Sequence, residues 1–151
     1  LNRYIENGGT IVLDARDQLI GGGQGTALVR SLTAGLNIPA LAPVPSGHVL
    51  TKAFYLLQSF PGRWSGDRVW VEDEVNRVND GVSRMLVGSH DWAAAWSVDR
   101  HGQPLYAVVP GGDKQREMAY RFGVNLVMYV LTGNYKADQV HVPAILERLG
   151  Q

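Results

Sequence analysis

The stretch that most constrains the fold lies near the end of the chain: "GGDKQREMAYRFGVNLVMYVLTGN". It reads as one helix from about Asp113 to Thr132, with Asp113 as N-cap and Gly133 as C-cap. Ala119, Phe122, Leu126 and Tyr129 form one apolar stripe, and Val124, Val127 and Leu131 form another. Beyond Gly123 the helix is apolar almost all round, so it must lie inside a domain or against a partner. A chain of 151 residues is long enough to supply that surrounding core as one domain.

The rest of the chain alternates apolar runs with helical or polar stretches. "LNRYIENGG" looks like the end of a helix already under way, closing near Asn7 with Gly8 as its C-cap glycine. Residues 1–151 are therefore expected to be a single α/β domain, the C-terminal part of something longer, with early strands missing. "TIVLD" (Thr10–Asp14) is a β-branched run suited to a strand covered on both faces. A helix should follow the glycine cluster, with Leu28, Leu32 and Leu36 at i, i+4, i+8. "NIPALAPVPSGH", with Pro39, Pro43 and Pro45, reads as an extended loop. "AFYLL" (Ala53–Leu57) fits a strand or a short helix equally well. "RVWVE" (Arg68–Glu72) is a strand with Val69 and Val71 on one face and Trp70 on the other, and "RMLVGS" (Arg84–Ser89) is a second apolar strand. "WAAAWSVD" (Trp92–Asp99) and "LYAVV" (Leu105–Val109) are further strand candidates, and "VPAILERLG" is a short closing helix with Pro143 in its first turn. This alternation predicts a three-layer α/β domain with a mainly parallel sheet. Ligands of such sheets sit beyond the carboxyl ends of the strands, which makes that edge the one of interest.

Composition excludes several functions. Lys and Arg balance Asp and Glu at 14 each, so nothing points to nucleic acid. No apolar run is long enough for direct membrane insertion. The absence of cysteine removes disulfides, thiolate metal sites and a cysteine nucleophile together. The histidines at 48, 90, 101 and 141 show no metal-ligand spacing, so neither a metal nor a cofactor is implied.

The candidate site residues gather at two strand ends. After "TIVLD", the cluster "GGGQG" offers the amides of Gly22, Gly23 and Gly25, but Thr26 stands where a dinucleotide fingerprint needs its third glycine, and no Lys precedes Thr26 as a phosphate loop requires. A loop with a helix-capping turn fits as well. In "DARD", Arg16 could clamp an anion or pair with Asp14 or Asp17. In "GSHDW", adjacent Ser89, His90 and Asp91 cannot form a triad, because triad members converge from separate segments. His90 and Asp91 could still face Asp14 and Asp17 across the edge as a metal or acid/base site, or simply tie down the loop. "EDEVNRVNDG" departs from calcium-loop spacing and reads as a solvated turn. Trp92 and Trp96, with Trp64 and Trp70, could make a sugar-stacking platform or pack in the core.

"YIENGGTIVLDARD" resembles the helix–glycine–strand passage of the glutamine amidotransferase-like α/β superfamily, which includes trehalose-utilisation-type proteins. "PLYAVVPGGDKQREMAYRFGVNLVMYVLTGNYKADQVH" is similar to the C-terminal end of a bacterial family of unknown function in that superfamily. Its most specific pieces are "LTAGL", "DWAAAW" and "FGVNLVMYVLTGNYKADQVH". That family often ends large membrane-anchored proteins whose N-terminal part resembles an aerotolerance regulator. The resemblance implies a flavodoxin-like fold. It carries no mechanism across, since the superfamily's Cys–His–Glu triad has no cysteine to match here. The expectation is a non-catalytic binding or interaction module, a soluble domain of a membrane-anchored bacterial protein, with a protein partner or small-molecule ligand and a homo-oligomer through the late helix as a possible assembly. The alternative is a hydrolase acting on a small or carbohydrate-like substrate, its site built from Asp14, Arg16, Asp17, His90 and Asp91.

Overall fold

In a computed structural model of the chain, the described residues are 1–16, 24–66, 68–73 and 82–132. Helix α1 (Asn2–Glu6) leads into strand β1 (Ile11–Asp14), followed by α2 (Gln24–Thr33) and β2 (Leu41–Pro43). A single 3-10 turn (Val49–Thr51) precedes β3 (Trp70–Glu72) and β4 (Met85–Gly88), and two helices, α3 (Trp92–Trp96) and α4 (Gly112–Thr132), complete the order. The turn after α1 comes where the sequence puts it, with Gly8 at a φ of 85°.

The fold is mixed α/β, and its sheet departs from the expected parallel one. The strand order is β1-β4-β3-β2, with β1 parallel to β4, while β4–β3 and β3–β2 are antiparallel. Only the β1–β4 pair needs a crossover; β3 reaches β4 without one, because antiparallel neighbours can be joined by a simple reversal. β1 is an edge strand here and is not covered on both faces: Val12 stands exposed. β2 arises inside the proline-rich loop. Pro43 closes it at a sheet edge, where a missing donor is tolerated. β3 keeps the predicted alternation, with Val69 and Val71 buried and Trp70 exposed.

Three further expectations are corrected. "WAAAW" is helical, because its alanines favour a helix and its N-terminus is capped by a distant carboxylate described below. Among the described residues "LYAVV" makes one isolated bridge, Val109 with Trp64, and the Tyr106 carbonyl is taken by Arg116 instead of a neighbouring strand. "AFYLL" forms neither strand nor helix. Asn125 of α4, fully buried, holds it in a turn: its Oδ1 accepts from the amides of Phe54 (3.1 Å) and Tyr55 (2.7 Å), and its Nδ2 donates to the carbonyls of Leu50 (2.9 Å) and Tyr55 (2.8 Å). Of the stripe expected on α2, Leu32 is exposed and Leu36 lies past the helix end. Gly133 and the closing helix fall outside the described residues.

α4 covers one face of the sheet. Phe122, Leu126 and Tyr129 pack with Val71, Leu86 and Trp92 in the main core cluster. Polar groups brace the same region. The Tyr129 hydroxyl accepts from the Ser83 amide, and Ser83 Oγ accepts from the Glu72 amide at 2.8 Å. Glu72, 1 % exposed, takes Arg84 Nε on both oxygens (3.2 and 3.0 Å), Arg84 Nη2 on Oε1 and the Arg84 amide on Oε2. The pair clips the end of β3 to the start of β4.

Candidate functional site

β1 ends in Asp14 beside the end of β4, so the parallel pairing delivers a carboxylate to the loop that opens α3. Asp14 Oδ1 accepts from the amides of His90 (2.9 Å) and Asp91 (3.2 Å), and Oδ2 from the amide of Trp92 (2.5 Å). An acceptor from another strand thus fills the N-cap role for α3, whose own preceding residue, Asp91, sits in the left-handed region and makes no side-chain cap. Burial pushes the Asp14 carboxyl above the usual carboxylate range, helped by the nearby Asp91 charge and opposed by the three amide donors.

Asp91 is itself buried, yet its carboxylate faces two guanidinium groups: Arg16 Nε on Oδ1 and Arg63 Nη1 on Oδ2, each at 3.5 Å. Arg63 lies over the rings of Trp64 (4.7 Å) and Tyr106 (5.1 Å). His90 is 1 % exposed, accepts the Ser89 amide on Nδ1 at 3.1 Å, and stacks on Trp92 with ring centroids 4.8 Å apart. With Nδ1 an acceptor, its Nε2 carries the proton. Its ring leaves no room for a side chain at Gly66: a Cβ there would lie 1.7 Å from the His90 ring, and the φ of +77° suits glycine alone.

Asp14, Arg16 and Asp91 line a cleft of about 290 Å³ with Ala94, Ser97 and Tyr106. The structure therefore brings together three of the residues singled out from sequence. His90 joins them through its backbone, while its imidazole is turned into the core. Asp17, Gly22 and Gly23 lie outside the described residues, and Gly25 is the second residue of α2. Sequence reasoning missed Arg63 and Tyr106. Arg63 sits in a loop without periodicity and Tyr106 in a run read as a strand, and only the tertiary fold carries them to Asp91. The tryptophans do not form a platform: Trp92 is core, Trp64 lies under Arg63, and Trp70 stands on β3. Among the described residues no cluster of His, Asp and Glu has metal-site geometry.

Replacing Asp14 with alanine is expected to cost about 2 kcal/mol, the upper range for losing a helix cap, measured by urea denaturation. The pH dependence has a definite sign. Folded Asp14 holds its proton more tightly than the unfolded chain, whose value is the ordinary 3.8. Its contribution is complete below that value and is lost as pH rises through the raised one. Relative to Asp14→Asn, the wild type should gain stability on acidification from neutral pH. A difference that is constant with pH, or a wild type that loses stability relative to Asp14→Asn on acidification, would contradict the burial of this carboxyl.

Helix α4 carries a second feature. α4 buries Ala119, Phe122, Leu126 and Tyr129, but Tyr120, Val124, Val127 and Leu131 stay exposed, Leu131 at 75 %. Among the described residues, the helix that reads as apolar all round is covered on one face only. Gly123 leaves a hollow against Trp96, where a Cβ would lie 3.3 Å from the ring. This hollow opens into an apolar groove of about 500 Å³ bordered by Val124, Val127 and Met128. Among the described residues no helix is long and apolar enough to cross a membrane.

No curated protein matches the chain. Residues 1–131, from α1 to the penultimate residue of α4, match the family described as "Domain of unknown function (DUF4159)". With that match over most of its length, the chain belongs to the DUF4159 family.

Proposed function

We propose that the domain is a non-catalytic binding module whose strand-end cleft holds a small, uncharged, carbohydrate-like ligand. One observation carries this reading: the groups that could have done acid/base chemistry already have structural partners. Asp14 caps α3, the His90 ring is locked against Ser89 and Trp92, and Asp91 is held between two arginines. A hydrolase would need one of these free to move a proton to substrate. What remains is a cleft of roughly monosaccharide size lined by Asp14, Asp91 and Arg16, with Arg63 also paired to Asp91. Tyr106 supplies an apolar wall and Arg16, 68 % exposed at its side chain, supplies donors. Titration with a panel of neutral mono- and disaccharides, followed by amide NMR, tests it. At least one sugar should bind saturably, and Tyr106→Ala should weaken it about tenfold, the loss of one stacked ring. Saturable binding by none of the panel, or turnover of a sugar abolished by Asp14→Asn, would overturn it.

The exposed face of α4 favours a second role, assembly with another copy of the chain. Ridge and hollow lie side by side on one helix, so a two-fold pairing sets each Val124–Val127 ridge into the other copy's Gly123–Trp96 hollow. Light scattering after size exclusion should give a dimer, and Val127→Glu should return it to monomer. A wild-type monomer would remove this role.

The sequence resemblance supports a wider placement. The domain would be a divergent, flavodoxin-like relative of the glutamine amidotransferase-like superfamily. It would serve as the C-terminal soluble module of a bacterial membrane-anchored protein of the aerotolerance-regulator type.

A further inference from the structure

A second cleft, of about 430 Å³, lies between the end of β2 and residues 58–60, 65–66 and 68–69. Phe60, Val44 and Pro43 give it apolar surface, and Gln58, Ser59, Ser65 and Arg68 line it with polar side chains. Among the described residues none of these four polar side chains has an intramolecular hydrogen bond or ion pair. This is the reverse of the strand-end cleft, where every charge is matched. Here a guanidinium, an amide and two hydroxyls border one hollow without internal partners, beside a ring that Phe122 fixes from behind at 5.3 Å.

The wall of this cleft is also shaped by the core. Gly66 belongs to its lining, and the buried His90 ring sits directly behind it, so the backbone at Gly66 cannot move inward. Unpaired donors suit an acceptor-rich group, and a planar guanidinium suits an oxyanion best. The apolar side of the cleft asks for a body that can leave water, and the volume falls within the range of small-ligand pockets.

We propose that this cleft binds a small organic oxyanion, a carboxylate or phosphate carried on an apolar body. Arg68 holds the anionic group, Gln58, Ser59 and Ser65 complete its hydrogen bonds, and the body rests against Phe60 and Val44. The site is separate from the strand-end cleft and does not depend on the reading given to it.

The test is a titration of the intact chain with benzoate, acetate and inorganic phosphate, followed by amide NMR. Benzoate should shift the amides of Ser59, Ser65, Gly66 and Arg68 saturably, and should bind several-fold more tightly than acetate because it also covers Phe60. Arg68→Ala should weaken benzoate at least about tenfold, the scale of a charge-assisted hydrogen bond. Arg68→Lys, which keeps the charge and loses the planar fork, should fall between the two. Arg68 is exposed, so neither variant threatens folding. Equal affinity for benzoate and acetate would remove the apolar body from the proposal. Shifts that do not saturate, or that survive Arg68→Ala unchanged, would overturn it altogether. Phosphate binding tighter than benzoate would overturn the role of the apolar floor.

Discussion

Replacing Asn125 with leucine is expected to destabilise the fold by about 4 kcal/mol, although leucine suits a buried helix position. The cost arises in the backbone that Asn125 serves. Two amides and two carbonyls of the Leu50–Tyr55 turn have their partners on this one side chain, and each buried group left unpaired costs about 1–3 kcal/mol. Partial wetting of the half-exposed turn keeps the sum well below four full penalties. Asn125→Asp sharpens the test, because it preserves shape and both acceptor bonds while turning a negative oxygen toward the Leu50 and Tyr55 carbonyls. It should be as damaging as leucine at neutral pH. It should recover in part on acidification, when a protonated carboxyl can donate again. Chemical denaturation across pH measures both. A loss near 1 kcal/mol for Asn125→Leu would show that the turn finds other partners.

Glu72→Ala is expected to cost about 3 kcal/mol, the lower range for stripping one partner from a buried pair, since Arg84 keeps some contact with solvent. What is lost is the acceptor for Arg84 and its amide where β3 meets β4. The pair itself need not be worth that much. Replacing both residues by methionine removes the orphaned charge with the bond, and this double variant should be markedly more stable than Glu72→Ala alone. If the double variant is the less stable of the two, the ion pair contributes through attraction rather than through the cost of breaking it.

Both effects fall on residues whose role only partly shows in sequence. The core stripe of α4 was legible because a 3.6-residue period marks it directly, and β4 and the Val69–Val71 alternation were legible for the same kind of reason. Asn125 left one trace, a lone amide between apolar neighbours in "GVNLV", but its partners lie some 70 residues away and carry no local signal. Sheet direction was not legible either. Apolar strands read as parallel when helices separate them, and here nothing in the Asp73–Arg84 connection announces that β3 turns back beside β4. At the candidate site, Asp14 and Asp91 stood out by their position at strand ends. Their partners Arg63 and Tyr106 did not, because side-chain type alone places nothing in a loop. The exposure of α4's second stripe was likewise invisible, since hydrophobicity predicts burial but cannot name the surface that provides it.

The parallel β1–β4 pair has a consequence for the order of folding. β4, α3 and α4 can assemble from contacts between neighbouring segments, but Thr10 must find Ser83 across 73 residues, and Asp14 must find His90 across 76. Closing a loop of that length is entropically costly, and it brings its reward only when both strands are already aligned. β1 therefore docks late. Weakening it should leave the folding rate nearly unchanged and speed unfolding instead. The strand-end cleft exists only after that last docking, so ligand held there would act as a latch on the segment of the chain that leaves first.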